Sequence, residues 1–362
     1  MSKILILANK DITLLFFRQE LIQKLFENGH SVYVSFPESE KIDIFKKMGC
    51  MFIHTDVDRH GTNPVEDSKL FFKYLKILKE IKPDFVFTYT IKPNIYGGIA
   101  CRIRKIKCIA NITGLGSSSQ NTGLVNKIVL FLYKISFKKM YRIFCQNEEN
   151  MQYLINNKIS KEKIKLIPGS GVNLDKYKLL KYPGDKTIEF LFIGRVMKTK
   201  GIEEYFDTAK YIKKKYPNTV FHVLGFCEED YQDVLNNLTD EGIIIYHGLQ
   251  DSTVPFLEKA HCTIHPTYYP EGMSNVLLES CASGRPIITT NRAGCKEIIE
   301  DGINGYLVKE KDSKDLIKKV EKFIRLSNNE KKQMGLNGRK KVEKEFDRNI
   351  VVNAYLKEIE EI

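Results

Sequence analysis

The sequence predicts an α/β protein of two Rossmann-like domains facing each other across a cleft, and three observations predict it. Apolar runs of strand length alternate with amphipathic helical patterns, the alternation restarts in the second half, and 362 residues suffice for two ordinary domains with a core each. The first run, residues 4–8, reads as a buried strand. Met1-Ser2-Lys3 leads straight into it and lacks the long apolar region of a signal peptide. A helix is expected over 15–28, then strands over 31–36 and 52–55. The helical pattern over 67–81 stops before Pro83, which cannot continue it, and residues 85–88 read as the next strand. A linker is expected at 169–186. Beyond it the second unit reads as strand 188–193, helix 202–216, strand 219–224, strand 242–247, helix 252–259, strand 262–265, a helix through Glu279 and strand 286–289. A final helix is expected over 342–362, with apolar positions at Ile350, Val351, Ala354, Tyr355 and Ile359.

Composition narrows the functional classes. With 43% hydrophobic and 28% charged residues the chain has the balance of a globular protein. Its longest apolar run, 128–133, is closed by Lys134 and is far short of the roughly 18 residues of a spanning helix. A cytoplasmic protein that does not cross the membrane is expected. The eight cysteines contain no C-x2-C pair and several sit in apolar segments, so reduced, buried thiols are expected. Charge is asymmetric: residues 1–170 hold 27 Lys and Arg against 15 Asp and Glu, whereas 171–362 hold 30 of each. Between Phe85 and Asn147 there are ten basic residues and no acidic one. A merely solvated face would mix signs.

The chemistry concentrates in Glu271-Gly272-Met273-Ser274-Asn275-Val276-Leu277-Leu278-Glu279. Ser274 is expected to cap a helix running to a stop at Gly284, which would turn unpaired N–H groups near Asn275, Val276 and Leu277 toward a diphosphate. Gly272 lets the backbone come close. Glu271 can accept hydrogen bonds from sugar hydroxyls and Glu279 from a ribose. Upstream, Gly194-Arg195-Val196-Met197-Lys198-Thr199-Lys200-Gly201 places two cations after an apolar strand, where they can neutralise the same diphosphate. Either motif alone is an ordinary loop, but the two in this order about 75 residues apart are far more specific.

With these two motifs the chain resembles the retaining glycosyltransferases of family 4, which have the GT-B fold and carry an E-x7-E pair preceded by G-R-x(4)-K-G. Pro168-Gly169-Ser170-Gly171-Val172-Asn173 resembles the segment by which such chains enter their second domain. The resemblance implies an acceptor-binding domain over 1–168, a nucleotide-sugar domain over 169–341, and a helix over 342–362 crossing back onto the first. It implies catalytic roles for Arg195, Lys200 and Glu271. Donor binding falls to these three with Gly272, Met273, Ser274, Asn275, Val276, Glu279, Gly225 after strand 219–224, and the turn His247-Gly248-Leu249, which resembles the family's base-binding turn. In the N-terminal half, Gly114 and Gly116 of Thr113-Gly114-Leu115-Gly116-Ser117 would let backbone N–H groups approach the donor, and Arg18 and Lys92 could contact an acceptor phosphate. Many relatives carry a histidine beside the reacting sugar carbon; none lies in 111–119, and no general base is assigned.

Two metal-like patterns are discounted. Asp56-Val57-Asp58 lies far in sequence from the nucleotide residues. His261 and His265 sit in a β-branched stretch, where a strand would hold the rings about 13 Å apart. No metal or other cofactor is expected. His265 either lines the donor pocket or is simply packed. Segment 124–142 interleaves apolar residues with Lys127, Lys134, Lys138, Lys139 and Arg142, a pattern suited to an anionic membrane surface at about 1 kcal/mol per cation. No nucleic-acid motif accompanies it. The resulting expectation is a retaining, metal-independent transferase moving a hexose or N-acetylhexosamine from a UDP-sugar to a polyprenyl-diphosphate-linked saccharide, peripheral on the inner face of the membrane. Lys92-Pro93-Asn94-Ile95-Tyr96-Gly97 resembles enzymes of bacterial surface polysaccharide and lipid-linked oligosaccharide synthesis. A UDP-sugar epimerase of the same fold and a non-catalytic nucleotide- or polyanion-binding protein are the alternatives.

Overall fold

Alternating apolar runs and amphipathic segments fold into two parallel sheets, each covered by helices. The computed structural model describes residues 1–58, 63–114, 123–159 and 161–361. The chain divides into one unit of Met1–Ser170 with Arg348–Ile362 and a second of Gly171–Asp347.

In the first unit β1 (Lys3–Leu7), α1 (Asp11–Phe17), α2 (Gln19–Glu27), β2 (Ser31–Phe36), α3 (Ile42–Lys47), β3 (Met51–His54), α4 (Pro64–Ile81), β4 (Phe85–Tyr89), α5 (Gly98–Arg104), β5 (Lys107–Ile112), α6 (Leu124–Phe137), β6 (Arg142–Cys145), α7 (Glu148–Asn156) and β7 (Ile164–Leu166) follow one another. Among the described residues the strands form a parallel sheet ordered β3-β2-β1-β4-β5-β6-β7. Successive β1 residues point to opposite faces. Ile4 and Ile6 join the cluster built with Leu21, Ile22 and Leu25, while Leu5 and Leu7 join Leu70, Tyr74 and Ile77 of α4. Both faces are therefore dry, which is why these strands read as unbroken apolar runs.

The expected helix over 15–28 is two helices. Arg18 breaks it at φ −137°, and its Nη1 donates to the Phe17 carbonyl at 2.6 Å, drawing that acceptor from the helical ladder. Helix α4 begins three residues earlier than expected: Asn63 accepts the Val65 N–H at 3.0 Å and Pro64 occupies the first turn, where its missing donor costs nothing.

The second unit comprises β8 (Ile188–Ile193), α8 (Ile202–Lys215), β9 (Thr219–Leu224), α9 (Gln232–Asp240), β10 (Ile245–Tyr246), α10 (Val254–Lys259), β11 (Cys262–His265), α11 (Asn275–Ala282), β12 (Ile287–Thr290), β13 (Gly305–Val308), α12 (Ser313–Ile324) and α13 (Asn328–Glu345). Its parallel sheet runs β10-β9-β8-β11-β12-β13. Phe190 and Phe192 face one core and Leu191 and Ile193 the other. Strand order reverses between β8 and β11, so the loops leaving their carboxyl ends diverge and open a crevice.

The helix expected over 342–362 is also interrupted. Val342 belongs to α13, which ends at Phe346 (φ −130°), and α14 (Arg348–Glu360) starts afresh. Between them Asp347 bridges Val172, whose N–H donates to the Phe346 carbonyl at 2.8 Å, so the chain leaves the second unit beside its point of entry. Helix α14 belongs to the first unit, where Val351, Val352, Tyr355, Leu356 and Ile359 complete the β1–β2 core. Glu358, 1% exposed, takes Arg142 at 2.8 Å and Lys165 at 3.2 Å.

Candidate active site

Two loops of the second unit build the site, at the carboxyl ends of β8 and β11. The first carries Arg195 and Lys200. Val196 pairs with Cys227, its N–H donating to the Phe226 carbonyl at 2.9 Å and its carbonyl accepting from Glu228 at 3.1 Å, which fixes the backbone beside Arg195. The Arg195 guanidinium stacks over Tyr269 at 5.0 Å, and its Nη1 donates to both oxygens of Glu228, at 2.8 and 2.6 Å. Burial opposes its charge, but Glu228 and Tyr269 more than offset this and raise the Arg195 pKa above its ordinary value. Lys200, 8% exposed, lies 4.8 Å over the same Tyr269 ring and is ion-paired with Glu271. Gly201 fixes where Lys200 emerges: at φ +77° it packs so closely that a Cβ would sit 2.1 Å from the Pro266 carbonyl oxygen.

The second loop presents Glu271 and then α11. Gly294, at φ +87°, cradles it, since a Cβ there would meet the Glu271 Cβ at 2.9 Å and the Gly272 carbonyl oxygen at 3.0 Å. Ser274 donates its N–H to the Gly294 carbonyl at 2.8 Å, and its own carbonyl accepts the first intrahelical bond, from Leu278 at 3.2 Å. The expected side-chain cap is not formed: the Ser274 hydroxyl makes no capping bond, because the Gly294 contact sets the approach of the chain instead. The N–H groups of Asn275, Val276 and Leu277 precede that first intrahelical bond and carry the positive end of the helix dipole. Gly272 and Met273 are buried in the turn, and Glu279 is half-buried on α11. Two cations, a carboxylate and a helix N-terminus therefore share one crevice, an arrangement suited to an anionic leaving group bearing a hydroxylated ring.

Behind Lys200, His265 ends β11 at 1% exposure. Burial first, and Lys200 second, press its pKa down to about 3, so it is a neutral packed ring beneath the site rather than a pocket wall. His261 also takes the packed reading: its Nε2 lies 2.8 Å from the Gly184 carbonyl and its Nδ1 accepts from the Glu189 N–H at 3.1 Å. In the turn His247-Gly248-Leu249 the His247 ring packs, 3.0 Å from His222 Nδ1 and against Phe256 at 4.8 Å, which leaves the backbone of the turn as the part that faces outward for a ligand. Gly225 donates to the Gly248 carbonyl at 2.8 Å, tying this turn to the strand ends, and Leu249 stands 74% exposed.

The candidates of the first unit fare differently. Arg18 cannot meet an acceptor phosphate as expected: it is 2% exposed, enclosed by Tyr89 at 4.9 Å and Tyr355 at 5.9 Å. Lys92 is held by Asp67 at 2.7 Å, and Tyr96 donates to the other Asp67 oxygen at 2.8 Å, so an acceptor phosphate would have to displace Asp67 to reach this cation. Gly114, at φ +133°, follows β5, and Gly116 lies outside the described residues. Sequence reasoning missed Glu228, Tyr269 and Gly294. The acidic run Glu228-Glu229-Asp230 just past a parallel strand was a usable signal, whereas Gly294 acts only through tertiary contact.

A parallel two-unit α/β architecture whose second unit gathers cations at a helix N-terminus defines the GT-B class of glycosyl-transferring enzymes. The fold matches that of Anabaena HepE, solved in complex with UDP and glucose, with a TM-score of 0.81 and 15% identity over 100% of both chains. Two family models fit, "Glycosyl transferase 4-like" over residues 3–147 and "Glycosyl transferases group 1" over 175–341. The chain belongs to this family of glycosyltransferases, family 4 in type, and is an enzyme of it. It is 28% identical, over 97% of its length and 96% of the relative's, to the N,N'-diacetylbacillosaminyl-diphospho-undecaprenol alpha-1,3-N-acetylgalactosaminyltransferase of Campylobacter jejuni. It is 25% identical, over 68% of each chain, to the UDP-Gal:alpha-D-GlcNAc-diphosphoundecaprenol alpha-1,3-galactosyltransferase of Escherichia coli.

Proposed function

We propose that the protein transfers a hexose or N-acetylhexosamine from a UDP-sugar to a polyprenyl-diphosphate-linked saccharide, with retention and without a divalent metal, at an anionic membrane surface during glycan synthesis. The observation that carries this reading is the convergence of Arg195, Lys200 and Glu271 on the N-terminus of α11. As the bond from the anomeric carbon to the diphosphate oxygen breaks, the electron pair goes to the diphosphate. Arg195, Lys200 and the first-turn N–H groups stabilise that charge, the electrostatic role a metal would otherwise fill. The acceptor hydroxyl approaches the same face of the sugar and gives its proton to the departing diphosphate, so the new bond keeps the configuration of the old one and no protein base is needed. Glu271 orients the sugar hydroxyls. Two relatives whose names specify undecaprenol-diphosphate acceptors and alpha-1,3 linkages support the acceptor class and retention, and a HepE complex with UDP supports the nucleotide.

The membrane part of the reading rests on α6. Tyr133 and Phe137 turn into the core at 3% and 1% exposure, whereas Val125, Ile128 and Phe131 stand 53%, 49% and 62% exposed beside exposed Lys127, Lys134 and Lys138. A face mixing aliphatic, aromatic and lysine side chains suits an anionic headgroup layer. No helix among the described residues is long and apolar enough to cross a membrane. The test is a metal-free thermal and calorimetric titration with UDP, GDP, ADP and UDP-sugars, followed by mass spectrometry of product from undecaprenyl-diphosphate saccharides. Selective stabilisation by UDP and one UDP-sugar, then α-linked product in EDTA, is expected. Binding without turnover on any lipid-linked acceptor would reject the acceptor class, and turnover lost in EDTA would reject metal independence.

A further inference from the structure

Resting on the donor-site reading, we propose that Glu228 is a built-in competitor of the donor diphosphate and sets which anions the site accepts. Glu228 holds Arg195 Nη1 with both carboxylate oxygens, at 2.8 and 2.6 Å, and so takes the place on the guanidinium that a phosphoryl oxygen would take. The pair is open to exchange: Arg195 and Glu228 side chains are 25% and 36% exposed. It is not what positions Arg195, because the backbone is fixed by the Val196–Cys227 bridge and the guanidinium by the Tyr269 ring at 5.0 Å. The adjacent Glu229 does the structural work of this turn, accepting the Lys198 N–H at 2.7 Å. Lys200 is likewise already matched, by Glu271. Each cation thus comes with a carboxylate to be displaced, which a diphosphate spanning both can do at once. A ligand with a single phosphate meets one cation and one resisting carboxylate. Glu228 therefore selects for diphosphates over monophosphates and inorganic phosphate.

The test is isothermal titration of wild type, Glu228→Gln and Glu228→Ala with UDP, UMP and inorganic phosphate at fixed salt. Removing the charge of a partly exposed pair is expected to tighten UDP about two- to fivefold and to tighten UMP by at least as much, so that the preference for UDP over UMP narrows. If either variant that melts cooperatively binds UDP more weakly than wild type, or if UDP and UMP affinities are unchanged, Glu228 is a positioning group or a bystander and the proposal falls alone. Wild type that binds no nucleotide overturns the donor-site reading and this proposal together.

Discussion

Alanine at Gly201 would press a Cβ within 2.1 Å of the Pro266 carbonyl oxygen at a φ of +77°. The substitution is expected to destabilise the second unit by about 3 kcal/mol, from combined clash and left-handed strain, measured as a fall in its urea midpoint. Lys200→Ala acts on chemistry instead. It removes a cation from the breaking bond, and kcat is expected to fall about a hundredfold, roughly 3 kcal/mol of transition-state stabilisation. Near-normal turnover would remove Lys200 from its assigned role. His265 yields a prediction of opposite character, about stability and pH. Its folded pKa of about 3 lies below the ordinary value of 6.5. The unfolded chain therefore binds the proton first, and the stabilisation present above pH 6.5 is lost as pH falls toward 3. His265→Gln is expected to lessen the fall in stability between pH 6.5 and 4.5 by about one proton's worth, close to 1.4 kcal/mol per pH unit.

At the scale of elements, what was legible followed from periodicity. Strands β8, β9 and β11 fall on the residues their apolar runs mark, because four to six largely apolar, β-branched or aromatic residues are too short for a helix and suit a buried strand. Strands β5 and β6 begin with Lys107 and Arg142 and follow directly on helical segments with no long loop to set them off, so they were not read as strands. The breaks at Arg18 and Phe346 were invisible for another reason. Each depends on a partner distant in space or diverted locally: the Phe17 carbonyl for one, and Val172 for the other. The sequence marked the Arg195–Lys200 loop and the Glu271 turn, whose residues are neighbours along the chain, and could not show the partners that other elements bring, such as Glu271 on Lys200, Asp67 on Lys92 or Tyr355 over Arg18. Helix α14 supplies this scale's prediction. Glu358→Ala strips Arg142 and Lys165 of their shared carboxylate and is expected to destabilise the first unit by about 2 kcal/mol. UDP affinity should be unchanged, since the residues assigned to the diphosphate lie in the other unit.

For the whole molecule, the uneven charge is the controlling quantity. The formal net charge of +12 arises within residues 1–170, where 27 basic residues face 15 acidic ones. Binding to vesicles with anionic headgroups is therefore expected to weaken as salt rises from 50 to about 300 mM, as the Debye length shortens. Ile128→Glu with Phe131→Glu should weaken it further without lowering UDP affinity. Cosedimentation reads both, and equal binding to neutral and anionic vesicles would contradict them.

The pairing of Val172 with Asp347 has a consequence for how the protein is made. The first unit is completed only by Arg348–Ile362, so a ribosome must first deliver all of Gly171–Asp347. At roughly 5–20 residues per second, the nascent chain carries an unfinished β1–β2 core for some ten seconds or more while the inserted unit, its ends already tied together, folds by itself. A chain released early would keep the residues proposed to hold the donor yet lack the fifteen residues that close its other half, so nucleotide binding without turnover is the expected outcome of a premature stop.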